Sequence, residues 1–305
     1  MDTVAVVGAG LIGRAWAAVF ARAGWAVRLH DAHGPTLDAA PSLVQAELEM
    51  LRRHGLADAP WGPVSAHADL AAALAGASFV QESGPEVLAA KQALFADLDR
   101  LAGHEAVLAS STSAIPASAF TEGLAGRARC LVGHPVNPPH LIPLVELCGA
   151  PWTAPATLDR AAAAYRAAGQ VPVLVRREAE GFVLNRLQGA LLAEAFRLVG
   201  EGVISPEDLD RTVCDGLGLR WSFMGPFATI ELNAPGGMAD YLARYTGFYA
   251  RIAADPPGPE VFGADNLARI AAAWPHAADP VRLAARTAWR NGRLAALAAH
   301  KRSQG

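Results

Sequence analysis

His134 and Glu146 are the side chains whose types and spacing most directly suggest chemistry. His134 stands just after a predicted strand at residues 130–133. Open α/β sheets bind ligands at the carboxyl ends of their strands, so the imidazole is expected to face a ligand cleft. A neutral imidazole can take the hydroxyl proton of an alcohol that is oxidised by hydride transfer. Glu146, twelve residues further on, can orient the ring by accepting from its other nitrogen.

Two further polar residues are candidates for the same site. Ser113 ends a run of four hydroxyl side chains after a predicted strand at residues 106–109. Its hydroxyl suits a hydrogen bond to a substrate oxygen or to a nicotinamide amide, although such runs also form turns and helix caps. Asn185 falls on the apolar face of residues 182–187, where a buried amide needs partners. Asn185 is therefore either a structural bridge or a donor that faces the cleft. For His134 taken alone, the alternative is a polar group on the surface.

A glycine-rich segment predicts a dinucleotide-binding turn. Residues 8–13 match G-x-G-x-x-G between a predicted strand and a predicted helix, which is the context that the pattern requires. The glycines allow a tight turn, close approach of a pyrophosphate and close helix–strand packing, and backbone N–H groups at the helix N-terminus favour phosphate. The predicted cofactor contacts in this segment are Gly8, Gly10, Leu11, Ile12 and Gly13.

Asp31 is predicted to select the cofactor. It ends the next predicted strand, 21 residues after Gly10, where a carboxylate accepts from both ribose hydroxyls and repels a 2′-phosphate. NAD is therefore favoured over NADP, although FAD-binding proteins share the glycine pattern. His30 and His33 flank this position, but no spacing of His, Cys and carboxylates resembles a zinc or iron site, so no metal is predicted.

The elements that must position these residues alternate in type along the first half of the chain. Such alternation predicts crossover connections and a mainly parallel sheet covered on both faces. A further strand at residues 171–175 is expected at an edge, because Pro172 cannot donate to a ladder. The predicted strands of the alternating region are residues 4–7, 25–30, 78–81, 106–109 and 130–133.

Beyond Arg177 the sequence reads only as helices. The fold class is therefore predicted as α/β, with a Rossmann-type, mainly parallel sheet domain followed by an all-helical domain. The predicted NAD-binding domain covers residues 1–178, and the predicted substrate and dimerisation domain covers residues 179–305. The helices expected in the second domain are residues 182–201, 205–215, 239–254, 265–273 and 280–299.

Composition excludes several other classes of protein. The 305 residues are 52% hydrophobic and 18% charged, which is too apolar for a disordered chain. A net charge of −3 offers no positive field for nucleic acid or an anionic membrane. The start of the sequence does not resemble a targeting peptide, and the three cysteines show no CxxC spacing. We therefore expect a cytoplasmic globular protein with no membrane span.

Taken together, these motifs resemble the 3-hydroxyacyl-CoA dehydrogenase superfamily, and most closely its lambda-crystallin branch, whose enzymatic members are L-gulonate 3-dehydrogenases. The resemblance covers residues 4–250. L-carnitine dehydrogenases are also similar, notably at residues 218–221. The segments that carry the resemblance are residues 8–13, 82–91, 110–114, 133–139, 143–147 and 181–187.

The resemblance implies an NAD-dependent dehydrogenase with a defined set of site residues, and a homodimer formed through the helical domain. For Lys91 the alternative is a solvated helix residue, but the sequence has only one other lysine, Lys301. The implied roles are general base for His134, orientation of that base for Glu146, contacts around the reacting carbonyl and nicotinamide for Ser113 and Asn185, and cofactor contacts for Glu86, Lys91 and Asn137.

The substrate is expected to be a small 3-hydroxy carboxylate, with L-gulonate as the best single candidate. An acyl-CoA substrate usually meets Lys or Arg near its phosphates. The region after the first helical hairpin offers Arg52 and Arg53, followed by the uncharged residues 59–63. We hypothesise that Arg220 pairs with the substrate carboxylate, since a guanidinium suits bidentate pairing; a structural salt bridge is the alternative.

Three other functions remain open at this stage. The first is oxidation of a 3-hydroxyacyl-CoA. The second is oxidation of L-carnitine, whose trimethylammonium group the rings of Trp221, Phe223 and Phe227 could surround. The third is a crystallin-like structural or NAD-sensing role without catalysis, which the joint presence of four candidate site residues disfavours.

Overall fold

The chain forms two compact units in the computed structural model, which describes residues 2–273 and 279–304. The first unit comprises Met1–Arg186 together with Ala285–Gly305, and the second comprises Leu187–Ala284. The predicted domain boundary at residue 178 stays a prediction. The main difference between the two units and the predicted domains is that residues 285–305 belong to the first unit.

One sheet organises the first unit, with the order β3-β2-β1-β4-β5-β6-β7-β8. Neighbouring strands from β3 to β6 are parallel, whereas β7 runs antiparallel to β6 and pairs in parallel with β8. The α/β fold class and the edge position of the last strand are confirmed. The strands of the described residues are β1 Thr3–Val7, β2 Ala26–His30, β3 Val64–Ala66, β4 Phe79–Glu82, β5 Val107–Ser110, β6 Cys130–Pro135, β7 Leu144–Gly149 and β8 Val171–Val175.

The core lies on both faces of this sheet. Side chains alternate along a strand, so Val4 and Val6 of β1 face one layer while Ala5 and Val7 face the other. All four are fully or almost fully buried, as expected for parallel strands with helices on both sides. The helices that begin in this unit are α1 Leu11–Arg22, α2 Gly34–Arg53, α3 Leu70–Leu74, α4 Leu88–Leu101, α5 Ala117–Thr121, α6 Pro155–Ala167 and α7 Leu184–Gly200.

The described residues of the second unit form helices joined by loops and turns, with no strand among them. The Ser205 hydroxyl accepts from the Asp208 amide at 3.1 Å, which confirms the predicted helix start. That helix ends earlier than predicted because Thr212–Leu217 widens into a π-helix. The remaining helices are α8 Pro206–Arg211, α9 Gly218–Trp221, α10 Pro226–Glu231, α11 Gly237–Ala253, α12 Ala264–Ala273 and α13 Pro280–Ser303, the last returning to the first unit.

Candidate active site

The predicted site residues of the first unit lie at the carboxyl edge of the parallel strands. Val7 of β1 pairs with Glu82 of β4, and Glu82 pairs with Ser110 of β5, so these strands end level with one another. Ser110 in turn pairs with Val132 of β6, and His134 follows two residues later. Strand order reverses beside β1, which is where open α/β sheets bind ligands.

His134 and Glu146 form a buried hydrogen-bonded pair. They are direct partners in the antiparallel register of β6 and β7, and Nδ1 of His134 lies 2.7 Å from Oε2 of Glu146. The two residues are 5% and 1% exposed. An ionised carboxylate only accepts hydrogen bonds, so Nδ1 carries the proton and Nε2 is left as the basic nitrogen. The arrangement can therefore accept a proton at Nε2.

Backbone amides hold Glu146 in its charged form. Its Oε1 accepts from the N–H groups of Val183 and Leu184, each at 2.9 Å, where α7 begins and a negative charge is favoured. Burial raises the pKa of Glu146, but the hydrogen bonds from His134 and from these two amides outweigh it, so the pKa lies below its usual value. Glu146 is thus ionised at neutral pH.

Phe182 shapes this helix start. It has a positive φ of 49°, which is rare and strained for a bulky residue. Its ring lies 5.5 Å from the His134 ring and is 1% exposed. The sequence predicted that the helix would begin at Phe182. It begins two residues later because the left-handed turn directs the next amides toward the carboxylate.

Ser113 and Asn185 are brought together by a hydrogen bond. The side-chain amide of Asn185 donates from Nδ2 to the backbone oxygen of Ser113 at 3.0 Å. Oε1 of Glu86 accepts from the amides of Ser113 and Ala114 at 3.0 and 3.1 Å. The Ser113 side chain itself is exposed. Asn185 therefore bridges α7 to the Ser113 turn, and a role of either side chain toward substrate stays a prediction.

Glu86 is ionised in this arrangement. Burial raises its pKa, but the hydrogen bond from the Thr112 hydroxyl, the charge of Lys91 and the two backbone amides together lower it below the usual value. Oε2 of Glu86 lies 3.6 Å from Nζ of Lys91. The Glu86 carboxylate thus orders the Ser113 turn. Its contact with the cofactor stays a prediction.

Lys91 is buried, so the alternative of a solvated helix residue is wrong. It is 2% exposed, and Nζ lies 3.0 Å from both oxygens of Glu82. The same carboxylate accepts from Ser110 Oγ at 2.5 Å. Sequence reasoning missed Glu82, although a carboxylate in a strand buried on both faces signals a paired charge. The predicted contact between Lys91 and the cofactor stays a prediction.

A second polar network, also missed from the sequence, lies beside this edge. Ser111 Oγ accepts from Trp16 Nε1 at 3.1 Å and from Gln81 Nε2 at 2.8 Å. With both lone pairs used, its hydroxyl donates to Ser83 Oγ at 2.8 Å. Tyr165 donates to Gln81 Oε1 at 2.5 Å. The network fixes the turns that follow β4 and β5.

The glycine turn fits a dinucleotide. A Cβ on Gly13 would lie 1.7 Å from the Gly8 carbonyl oxygen, so the helix packs directly on the turn, whereas a Cβ on Gly10 would enter open space. Gly10 caps α1 without any side-chain hydrogen bond, which leaves the first N–H groups of the helix, including those of Leu11 and Ile12, for a phosphate.

Asp31 lies at this turn. Its Oδ2 accepts from the Ala9 amide at 2.7 Å and its Oδ1 from the His33 amide at 2.8 Å. The carboxylate is therefore fixed beside the turn that would hold the pyrophosphate, as the ribose assignment requires. Contact of Asp31 with the ribose hydroxyls stays a prediction.

The remaining predicted residues make few contacts. Asn137 is exposed in the loop after β6, and Arg220 is exposed on α9 of the second unit. Neither side chain forms a hydrogen bond or ion pair within the described residues. Over residues 2–273 and 279–304, no cluster of three His, Cys or carboxylate groups is arranged to hold a metal, and no helix is long and apolar enough to cross a bilayer.

The fold and this edge of the sheet define a class of proteins, the NAD-dependent dehydrogenases with a Rossmann-type sheet. The family model of the 3-hydroxyacyl-CoA dehydrogenase NAD binding domain matches residues 3–179, and that of the 3-hydroxyacyl-CoA dehydrogenase C-terminal domain matches residues 181–271. The chain belongs to the 3-hydroxyacyl-CoA dehydrogenase family. It is an NAD-dependent oxidoreductase that acts on CH–OH groups, and the prediction of an enzyme with this cofactor is confirmed.

Individual relatives agree with this assignment. A lambda-crystallin homolog from Bos taurus is 46% identical over 97% of this chain and 94% of that protein. An L-carnitine dehydrogenase from Streptomyces griseus subsp. griseus is 42% identical over 79% of this chain and 73% of that protein. The solved structure of 5-formyl-3-hydroxy-2-methylpyridine 4-carboxylic acid 5-dehydrogenase superposes with a TM-score of 0.85 at 29% identity, covering 97% of each chain.

Proposed function

We propose that the protein oxidises the C3 hydroxyl of a small 3-hydroxy carboxylate, with L-gulonate as the best single candidate. The observation that carries this proposal is the 2.7 Å contact between His134 Nδ1 and Glu146 Oε2. It leaves Nε2 as the base that removes the hydroxyl proton. NAD, held by the glycine turn and Asp31, would supply the acceptor for the hydride of the same carbon.

In this mechanism each protein group has a distinct task. As Nε2 of His134 takes the proton, the ring becomes an imidazolium, and the charge of Glu146 stabilises it without accepting the proton. The amides of Val183 and Leu184 keep Glu146 ionised and in place. Asn185 holds the Ser113 turn, and the exposed Ser113 hydroxyl is assigned to the substrate oxygen or the nicotinamide amide.

The preference for a small free acid is supported by the few cations in residues 52–63, where Arg52 and Arg53 are the only Lys or Arg side chains. Arg52 is already paired with Glu49 at 2.9 Å, on an exposed surface. A coenzyme A substrate needs several cations for its phosphates. Arg220, exposed on α9, is assigned to the substrate carboxylate within this proposal.

L-carnitine is the second candidate substrate. The similarity to an L-carnitine dehydrogenase over 79% of the chain favours it. Trp221, Phe223 and Phe227 are 41%, 70% and 74% exposed, so their faces are available to a quaternary ammonium group. Oxidation of a 3-hydroxyacyl-CoA, the activity for which the family is named, is the third candidate.

We also propose a homodimer formed through the helical unit. Large apolar side chains of this unit are more than half exposed, among them Leu219, Phe223, Phe227 and Leu232. Exposed apolar patches on monomers are usually small, so such a surface favours association with a second copy. Sedimentation of the full chain should give a dimer at micromolar concentration, and a stable monomer would contradict the proposal.

NADH formation tests the function directly. The full-length enzyme is mixed with NAD and, in separate reactions, L-gulonate, L-carnitine or a 3-hydroxybutyryl-CoA. We expect the highest kcat/KM with L-gulonate, and the His134→Gln variant should lose at least about 1000-fold in kcat while NAD affinity stays unchanged. His104→Gln, an exposed histidine, is the matched control. Near-normal turnover of His134→Gln would overturn the base assignment, and no turnover of any hydroxy acid would overturn the proposed function.

A further inference from the structure

A cavity of about 660 Å³ lies within the first unit, apart from the candidate active site. None of Ser113, His134, Glu146 and Asn185 lines it. Its walls come from the end of α1, the loop after α2, the loop between β6 and β7, the turn after α6 and the last turns of α13. Its volume is that of a site for a small organic molecule.

Arg22 places a fixed positive charge in this cavity. Its Nη1 donates to the backbone oxygen of His140 at 2.9 Å. The amide of Gln170, in the orientation that satisfies both of its polar atoms, accepts from Arg22 Nη2 at 3.0 Å and donates to the Pro143 oxygen. Both acceptors are neutral, and no carboxylate of the described residues lies within 4.0 Å of the guanidinium. The charge is therefore oriented by the fold but not neutralised.

Further cations line the same cavity. Lys301 and Arg302 lie in the last turn of α13, and neither forms an ion pair within the part of the chain that the structure describes. Arg302 is close enough to Arg22 for the two charges to repel, which adds to burial in lowering the pKa of Arg22 to about 10. The acidic lining group is Asp58, which is exposed. The cavity thus carries an excess of positive charge.

His140 supplies a polar group that lacks a partner. It lines the cavity and is 4% exposed, yet neither ring nitrogen forms a hydrogen bond within the described residues. The nearest carboxyl oxygen, Oε2 of Glu47, is 4.0 Å from Nδ1, which is too far for a hydrogen bond. A buried ring N–H without an acceptor is costly. The two ring nitrogens have almost no exposed surface, so the anion is placed by the guanidinium groups and lies beside the His140 wall.

The rest of the lining is apolar. Leu56, Leu141, Ile142, Leu294 and Ala298 contribute hydrocarbon surface. A bare inorganic ion would leave this surface in contact with water, whereas a ligand with an apolar portion would cover it. The combination favours one molecule with an anionic end and a hydrocarbon end.

We propose that this cavity binds a small amphipathic organic anion. Its phosphate or carboxylate group lies between Arg22 and Arg302, near the ring of His140. Its hydrocarbon portion lies on Leu141 and Leu294. The site is independent of the substrate and of the proposed catalytic residues.

Calorimetric titration of the full-length protein, saturated with NAD, tests this proposal. Octyl phosphate and octanoate are the anionic probes, and 1-octanol is the uncharged probe of equal chain length. We expect one anion per chain, with octanol binding at least tenfold more weakly. A preference for octyl phosphate identifies a phosphate-bearing ligand class, and a preference for octanoate identifies a carboxylate. If neither anion binds, the proposal is wrong.

Variants of α13 locate the binding. Arg302→Gln should weaken the preferred anion about tenfold, because one charge-assisted hydrogen bond is lost, while Arg302→Lys should restore most of the affinity. Both changes are at an exposed residue, which avoids disturbing the buried Arg22. Arg293→Gln, exposed on the same helix and outside the cavity, is the matched control. Equal affinity in Arg302→Gln and the unmodified protein would place the anion elsewhere and overturn the proposal.

Discussion

Glu146 and Glu47 are both largely buried carboxyl groups, but their pKa values shift in opposite directions. Burial raises both values. For Glu146 the His134 hydrogen bond and two amides more than compensate, so its pKa falls. For Glu47 only the charge of Arg14 opposes burial, and its pKa rises to about 7. Hydrogen-bond donors therefore decide which of these carboxyl groups stays charged at neutral pH.

At the residue scale, Glu146→Gln should inactivate the enzyme without unfolding it. The glutamine oxygen can still accept from Val183 and Leu184. Its NH2 group would then face Nδ1 of His134, which favours the ring tautomer with the proton on Nε2 and removes the base. We expect kcat to fall at least about 100-fold, measured by NADH formation with the best substrate of the panel.

Two comparisons separate this effect from a general loss of structure. The Glu122→Gln variant changes a carboxyl group at the exposed end of α5 and should keep normal kcat. NAD affinity of Glu146→Gln should equal that of the unmodified enzyme. A kcat within a few-fold of normal would show that Glu146 does not orient the base.

At the scale of elements, the sequence predicted what short-range patterns encode. The parallel strands followed from apolar runs, and β8 was placed at an edge from Pro172 alone. Strand β7 was missed as an element, because Glu146 interrupts its apolar run and signals chemistry rather than a strand. β3 was also missed, since three residues with two exposed side chains leave no pattern to detect.

The site was predictable to a similar degree. Short sequence patterns predicted part of the site, because polar residues at the end of a predicted strand are expected to face a ligand. These were the glycine spacing, Asp31, His134 and Glu146. The carboxylate of Glu82 in a buried strand signalled a paired charge, but the sequence did not show that Lys91 of α4 is its partner. The same holds for the Asn185 bridge to Ser113, which joins residues 72 positions apart. Long-range contacts of this kind need coordinates.

The glycine turn gives a prediction for the β1–α1 element. Gly10→Ala should leave stability nearly unchanged, because Gly10 has φ −67° and its Cβ would enter open space. The methyl group would occupy the approach of the pyrophosphate, so NAD affinity should fall at least about tenfold. Gly13→Ala should instead destabilise the protein by at least about 2 kcal/mol, because its Cβ would overlap the Gly8 carbonyl.

Urea unfolding and NAD titration of both variants measure these two effects separately. Gly34→Ala provides a control at another helix start, where a Cβ also meets open space. It should change neither stability nor NAD affinity appreciably. Normal NAD affinity in Gly10→Ala would remove this turn from the cofactor site.

At the scale of the whole molecule, the pH dependence of stability is a sum over all titratable groups. Two neighbouring groups, His140 and Glu47, contribute to it with opposite signs. Burial, with the charges of Arg22 and Arg290, lowers the pKa of His140 from 6.5 to about 4. The unfolded chain then binds the extra proton, so this group makes stability rise between about pH 4 and 6.5. Glu47, with its pKa raised from 4.5 to about 7, makes stability fall as pH rises through about 4.5 to 7. The two contributions nearly cancel where they overlap.

In the Glu47→Gln variant, the rise in stability with pH that comes from His140 should no longer be cancelled by Glu47. Glutamine resembles the protonated carboxyl group and never ionises. Above about pH 7 the parent buries a charged Glu47 at a cost in folding free energy, and the variant avoids that cost. At 1.36 kcal/mol per pKa unit, the variant should be more stable than the parent by about 3 kcal/mol near pH 8, and by less than about 1 kcal/mol near pH 5. Urea unfolding followed by tryptophan fluorescence measures both differences. Glu49→Gln, on the same helix and 41% exposed, should show no such pH-dependent gain. A difference that does not grow with pH would mean that Glu47 titrates normally in the folded protein.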